Sequence, residues 1–336
     1  MVNVAVVGVG YWGPNFVRIM DELADAKLVA VCDSDAKKFE KMGSLYPHVR
    51  FTTDLDSLVS DGSIDAVVVA TGSDTHYAIS RRFLEAGKHV LVEKPIALKS
   101  SDAEHLIELA AKKNRVLLVG HLLRYHRGVD KLKQYIDQGY LGKILYVYST
   151  RVNLGRIRKE ESAMWSFATH DISVVSHLVG SDPVRVTASG QAYVRKGIYD
   201  VVFLTVHYPD DVMAHFHVSW LDPHKIRQVT VVGDKKMAVF DDTEATEKLR
   251  IYDKGIDYVP SYRNYGEALT IRVGDIYIPK IDLVEPLKAE CLHFLDCIQK
   301  GATPLTDGLS GLKVVRVLEA ADQSLREGSR AVEVAK

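Results

Sequence analysis

The chain has 336 residues, 47% of them apolar and 26% charged, with a formal net charge of -1. That length and composition suit a globular protein with two hydrophobic cores. Near-neutral charge without a basic stripe speaks against a nucleic-acid partner, and no apolar run approaches the ~20 residues that span a bilayer, so no membrane partner is expected.

Over the first 120 residues, apolar runs at 2–7, 28–32, 64–70, 89–92 and 115–119 alternate with helix-like stretches at 14–23, 35–42, 75–86 and 101–113. Val-rich runs without polar alternation suit parallel strands covered on both faces, and their alternation with helices implies right-handed crossovers. Gly87 is expected just past a helix end, and Gly139 and Gly142 close a helix at 127–138. After about residue 143 the pattern changes to strands at 144–153, 183–193, 201–208, 212–220, 227–232 and 236–241. A helix at 170–179 interrupts them, and helices at 284–299 and 309–326 close the chain. The polar stretch 253–282 fits no regular element and reads as a long arm or loop. The predicted fold is an α/β Rossmann domain with a doubly wound parallel sheet at 1–122. It is followed at 123–336 by an α+β domain with a large open, mostly antiparallel sheet. Large apolar side chains alternate along strands such as 212–220, more than one core needs, so an outer sheet face is expected to pair subunits into a homodimer or homotetramer. The three cysteines, Cys32, Cys291 and Cys297, form no C-x-x-C pair, which fits a reducing compartment. With a strand-like run starting at residue 2, no signal peptide is expected, and the cytoplasm is the expected location.

Gly8, Gly10 and Gly13 form G-V-G-Y-W-G between the first strand-like run and the first helix-like stretch, and Asp33 lies twenty residues past Gly13. This is the context that a dinucleotide fingerprint requires: glycines that admit the pyrophosphate, free N–H groups at a helix start, and a carboxylate for the ribose. Tyr11 and Trp12 within the loop and Ser34 beside Asp33 join the candidate cofactor-binding set. Asp33 would repel a 2′-phosphate, so NAD is expected over NADP, with Lys37 and Lys38 as a mild counter-signal. Glu93 and Lys94 end a later apolar run, before Pro95, and put a cation at the carboxyl end of a strand. Arg124 and Tyr125 follow the last parallel strand, where open α/β sheets bind ligands. Arg151, Asn153 and Arg156 punctuate another strand and its exit. Guanidinium forks there suit a diphosphate or a uronate carboxylate, although a solvated or subunit-facing strand would look the same.

Taken together these residues resemble the Gfo/Idh/MocA oxidoreductase superfamily over the whole chain. The marks are G-V-G-Y-W-G, Asp33, A-T-G-S-D-T-H at 70–76, E-K-P at 93–95, G-H-L-L-R-Y at 120–125 and T-H-D-I at 169–172. A narrower resemblance is to members that oxidise C3 of UDP-N-acetylglucosamine or its uronic acid. It rests on G-Y-W-G-P-N at 10–15, S-T-R-V-N-L-G-R at 149–156, S-W-L-D-P at 219–223, V-G-D-K-K-M-A-V-F-D-D at 232–242 and E-P-L-K-A-E-C at 285–291. The resemblance implies that Lys94 and His170 are catalytic and face the reacting carbon. It also implies that Thr71, Gly72 and His76 lie on the cofactor side, and that no metal is needed. Imidazole can take a proton near neutrality, and an ammonium favours a developing alkoxide. One departure stands out: Ser166 occupies the position, four before His170, where many members carry an acid. A serine there donates a hydrogen bond to substrate but supplies no charge. The expected activity is NAD-dependent oxidation of a secondary hydroxyl of a small-molecule substrate, a UDP-sugar or sugar. The alternatives are a free-sugar or inositol dehydrogenase, a glycosidase that begins with the same oxidation, and an NAD-binding regulator without turnover.

Overall fold

The computed structural model describes every residue except 156, 159–160, 259–268, 283 and 336. Contacts divide the chain into two units, Met1–Tyr125 with Val284–Arg316 and His126–Leu283 with Val317–Lys336.

The first unit runs β1 (Val2–Val7), α1 (Gly13–Glu22), β2 (Ala26–Cys32), α2 (Phe39–Leu45), β3 (Arg50–Thr52), α3 (Leu55–Val59), β4 (Ala66–Val69), α4 (His76–Glu85), β5 (His89–Glu93), α5 (Ser100–Lys113) and β6 (Leu117–Gly120). From the far end of the chain it takes α8 (Pro286–Lys300) and the first part of α9 (Gly308–Arg326). Among the described residues its sheet has six parallel strands in the order β3-β2-β1-β4-β5-β6. The order reverses between β1 and β4, and ligands of open α/β sheets bind at the carboxyl ends beside such a switch. All four residues of β4 are buried, as a strand covered on both faces demands. Pro14 opens α1, where its missing N–H costs nothing, and Phe16, Val17, Ile19 and Met20 face the core. The sequence reading passed over β3 and α3. Arg-Phe-Thr is a three-residue, half-exposed edge strand with no apolar run, although Asp54 caps α3 by accepting from the N–H groups of Asp56 and Ser57.

The division at 122/123 expected from sequence differs from the contacts at the C-terminal end, where 284–316 rejoin the first unit. The reason is burial. Leu287, Cys291, Phe294 and Leu295 of α8 share one core with Val4, Val6, Leu91 and Leu118, so the Rossmann sheet is covered in part by a helix that follows it by 160 residues or more in the chain.

The second unit contains α6 (Arg127–Asp137), β7 (Ile144–Val152), α7 (Thr169–Val179), β8 (Arg185–Gln191), β9 (Val201–His207), β10 (Met213–Ser219), β11 (Ile226–Gly233), β12 (Met237–Asp241), β13 (Leu249–Tyr258), β14 (Leu269–Tyr277) and β15 (Val332–Glu333). Among the described residues they form a nine-stranded sheet, β14-β13-β12-β11-β7-β10-β9-β8-β15, antiparallel except where β10 runs parallel to β7. Along β9 and β10, Val202, Leu204, Val206, Ala214, Phe216 and Val218 are buried, while Phe203 and Met213 are exposed. The expectation of an arm or loop over 253–282 is corrected where it is described, at 253–258 and 269–277, which are strand with Ile256 opposite Ile271 and Lys254 opposite Val273; 259–268 lie outside the described residues. The sequence hid this because Ile256, Ile271 and Val273 are exposed, so no buried face marks the period. Arg272 ties the pair instead, reaching Asp253 at 3.1 Å and Asp257 on the facing strand.

Replacing Phe294, which is 0% exposed in the first core, by alanine should cost roughly 3–5 kcal/mol. Urea unfolding of Phe294→Ala against the parent chain measures it.

Candidate active site

The turns after β1, β2, β4, β5 and β6 lie at the carboxyl edge of the first unit's sheet. The turn after β1 holds the glycines. Gly8 has φ +91, and a Cβ there would come within 2.7 Å of the Ala70 carbonyl oxygen. At Gly13 a Cβ would lie 1.9 Å from the Gly8 carbonyl oxygen, so α1 starts against the end of β1 with no room for a side chain. Gly10 is different: nothing lies within 4 Å of its would-be Cβ. Its bareness serves no packing and leaves the loop open for a ligand backbone contact, which is the role a pyrophosphate requires. Tyr11 is 78% exposed and meets the half-buried Trp12 edge-on.

Asp33 follows β2. Its carboxylate accepts the Val9 N–H at 2.8 Å and the Asp35 N–H at 3.0 Å, and the Lys38 ammonium sits 3.0 Å from each oxygen. Burial alone would raise its pKa, but the two N–H groups and Lys38 outweigh that and hold the acid below the usual carboxylate range. Lys38, a mild counter-signal in the sequence, is thus a partner of Asp33. Ser34 beside it is exposed.

Lys94 is half-buried just past β5 and its peptide bond to Pro95 is cis. Its N–H donates to Oε2 of the buried Glu93 at 3.1 Å. His76 opens α4 almost wholly buried. Its Nδ1 lies 2.7 Å from the Pro95 carbonyl and its Nε2 3.2 Å from that of Thr71. It braces the Glu-Lys-Pro turn against the turn after β4, which contains Thr71 and the exposed Gly72.

Past β6 a short 3-10 turn spans Leu122–Tyr125. Tyr125 turns inward, its hydroxyl 3.1 Å from Thr306 Oγ1 and its ring against His293. Burial pushes the phenol up, and the structure gives it a packing role in place of the expected substrate contact. Arg124 is buried in the same turn. The sequence reading missed His121, which begins this segment. It is buried, and its pKa is pushed down to about 3 by burial first and then by the charges of Arg124 and Lys94. The signal available was its place in G-H-L-L-R-Y, one residue past the end of a parallel strand.

In the second unit, Arg151 on β7 is buried and grips Asp171. Its Nε lies 3.0 and 2.9 Å from the two carboxylate oxygens and its Nη2 2.8 Å from Oδ1. Burial would weaken the guanidinium charge, but Asp171 more than restores it. The expected diphosphate or carboxylate contact is corrected at Arg151, because its fork is already engaged with a carboxylate. What the pair does is tie the first turn of α7, where the half-buried His170 sits, to the central strand β7. Just before α7, Met164–Ala168 form a π-helical turn with Ser166 buried inside it; such turns recur at functional sites. Asn153, past β7, is half-buried and donates its N–H to the Ser219 carbonyl at 3.1 Å. Arg156 lies outside the described residues.

Residues 2–121 match the family described as "Oxidoreductase family, NAD-binding Rossmann fold", and residues 129–239 match "GFO/IDH/MocA C-terminal domain". The chain belongs to the Gfo/Idh/MocA oxidoreductase family. Within it, the chain is similar to UDP-N-acetylglucosamine 3-dehydrogenase of Acidithiobacillus ferrooxidans, with 27% identity over 92% of this chain and 93% of that one. A crystal structure of that enzyme, GnnA, matches at TM-score 0.80 and 24% identity, covering 97% of both chains, which shows the shared fold. A 2,7-anhydro-N-acetylneuraminate hydratase of Mediterraneibacter gnavus is 29% identical over 62% of this chain, which spans only 59% of its length. The matching family is described by its NAD-binding Rossmann fold, and this loop fits a dinucleotide: an open Gly10, a Gly13 pressed on Gly8 and a carboxylate at Asp33. Among the described residues no helix is long and apolar enough to cross a membrane.

Asp33→Ser should remove the repulsion toward a 2′-phosphate and free Lys38 to attract one, shifting the NADP-to-NAD affinity ratio toward NADP by about tenfold or more. Calorimetric titration of both cofactors reads this directly, and equal affinities in the parent chain would refute the role given to Asp33.

Proposed function

We propose that this protein is an NAD-dependent dehydrogenase that oxidises a secondary hydroxyl, at C3, of a nucleotide sugar such as UDP-N-acetylglucosamine or its uronic acid. The observation that carries the reading is Lys94, a lysine directly past the carboxyl end of β5, on the same sheet edge as the glycine loop. The nearly full-length similarity to a UDP-N-acetylglucosamine 3-dehydrogenase supports the substrate class. In this reading Gly8, Gly10, Tyr11, Trp12 and Gly13 hold the pyrophosphate region, and Asp33 with Ser34 holds the adenosine ribose. Thr71 and Gly72 line the same edge, with His76 and Glu93 bracing it. NAD⁺, when bound, supplies the hydride acceptor. Lys94 and His170 serve the substrate hydroxyl: the imidazole takes its proton, and the ammonium favours the alkoxide as negative charge grows on oxygen. Both interactions are worth most in the transition state, where that charge develops. Ser166, Asn153, Arg156 and Arg124 are the candidate substrate contacts, and Ser166 offers a hydroxyl where many family members have an acid. A cytoplasmic location belongs to the same proposal and rests on the sparse, unpaired cysteines.

The alternatives take the same residues. A free sugar or an inositol in place of the UDP-sugar would leave Lys94 and His170 in the same roles. An NAD-binding regulator would bind cofactor without turnover. Lys94→Ala and His170→Asn should each lower turnover by about 10²–10⁴-fold, with melting temperature and NAD affinity near those of the parent. The measurement is NAD⁺ reduction across UDP-sugars, free sugars and inositols. Variants as fast as the parent would remove the catalytic assignment, and tight NAD binding with no turnover of any substrate would favour the regulator.

The second sheet supports a homodimer or homotetramer. Tyr146, Tyr148, Phe203 and Met213 are exposed together on β7, β9 and β10, where Met213 pairs with Tyr146 and Phe203 stacks on His217 at 4.5 Å. Exposed aromatic faces of this kind mark interfaces. Multi-angle light scattering at micromolar concentration should give a dimer or tetramer mass, and a monomer would count against the interface.

A further inference from the structure

α8 carries a glutamate into the core of the first unit. Glu290 is 0% exposed, and among the described residues neither of its carboxyl oxygens has a hydrogen-bond partner. It lies between Leu287 and Phe294, three and four residues away, on the helix face that enters the core. A carboxylate stripped of water and given no donor is among the costliest groups a fold can hold, whereas the neutral acid is far cheaper to bury. Burial pushes Glu290 well above the usual carboxylate range, and the Glu93 charge pushes it further.

Other titratable groups around it are neutral in the physiological range. Burial raises Tyr125 on the turn after β6 and Cys291 on α8 itself, and the Glu290 charge adds to both. His121 is held neutral by burial and by the charges of Arg124 and Lys94. The charges felt here are that of Glu93, which raises Glu290, and those of Lys94 and Arg124, which lower His121. A Cβ on Gly120 would lie 3.3 Å from the carboxyl carbon of Glu93, so β6 passes close beside that side chain. Its Oε2 accepts the Lys94 N–H at 3.1 Å, so any displacement of Glu93 is felt at Lys94.

We propose that Glu290 is a positioning residue for Lys94: a neutral acid on α8 that leaves Glu93 the single carboxylate beneath the Glu-Lys-Pro turn, and whose ionisation displaces that turn. The importance of Lys94 rests on the dehydrogenase reading; the neutral state of Glu290 does not. When both acids are ionised they repel each other in an apolar interior, and the connection through Glu93 to the Lys94 N–H transmits the strain.

Glu290→Gln keeps the size of the side chain and is neutral at every pH. The folded chain holds the Glu290 proton above 4.5, where the unfolded chain releases it, so wild type loses stability relative to the variant as pH rises through that window. The melting temperature of Glu290→Gln should therefore gain on wild type as pH rises above about 5. Its turnover near neutral pH should stay within about twofold of wild type, its KM for NAD should not change, and its alkaline loss of kcat should be smaller. Glu290→Met, apolar and of similar length, should show the same melting trend and carries the comparison if the glutamine variant folds poorly. Parallel melting curves against pH would overturn the proposal, as would a tenfold loss of kcat in Glu290→Gln near neutral pH with unchanged melting, which would mean that the ionised form is needed. A wild type with no sugar turnover would remove the dehydrogenase reading and the positioning role with it, while the melting comparison would still read the neutral acid.

Discussion

At Gly13 the start of α1 lies so close to the end of β1 that a side chain would overlap the Gly8 carbonyl, 1.9 Å from a would-be Cβ. The rest of the cofactor edge depends on this approach of backbone to backbone. It aims the first N–H groups of α1 at the switch point between β1 and β4. It also brings Val9 near enough to Asp33 for a 2.8 Å hydrogen bond, so the carboxylate proposed to hold the ribose is set by the same loop. Gly8 and Gly13 are bare because the protein fills their space, and Gly10 is bare because the protein leaves it open.

The two units treat buried charge in opposite ways. In the second, Arg151 and Asp171 are desolvated together in a two-pronged pair that fixes the start of α7 beneath His170. Removing one partner from such a pair would strand the other, so the pair acts as a geometric tie more than as a source of net stability. In the first, Glu290 has no such partner, and neutrality is the remaining way to bury it. In the second unit the pair lies next to His170 along α7, and in the first the Glu93 that accepts from the Lys94 N–H also bears on Glu290.

The Rossmann elements were legible because parallel strands buried on both faces need unbroken Val-rich runs, and glycine loops need glycine. The second sheet was legible where strands alternate, as along β9 and β10, and was lost at β13 and β14, whose apolar side chains face outward. Among candidate site residues, Gly8, Gly10, Gly13, Asp33 and Lys94 lie at the sheet edge where their order along the chain implied. Tyr125 and Arg151 do not match their expected roles, since a tyrosine or arginine near a strand end reads the same whether it faces a ligand or a neighbour.

The sequence by itself determined the fold class, the glycine loop with its acidic companion and the family, since each rests on local periodicity or a short spacing. Tertiary structure alone decided which charges are engaged: Lys38 with Asp33, Arg151 with Asp171, and Glu290 buried with no hydrogen-bond partner among the described residues. It also decided that α8, far down the chain, closes the first core. These outcomes depend on contacts between residues from 5 to well over 200 positions apart, and on what water can reach, neither of which a linear pattern records.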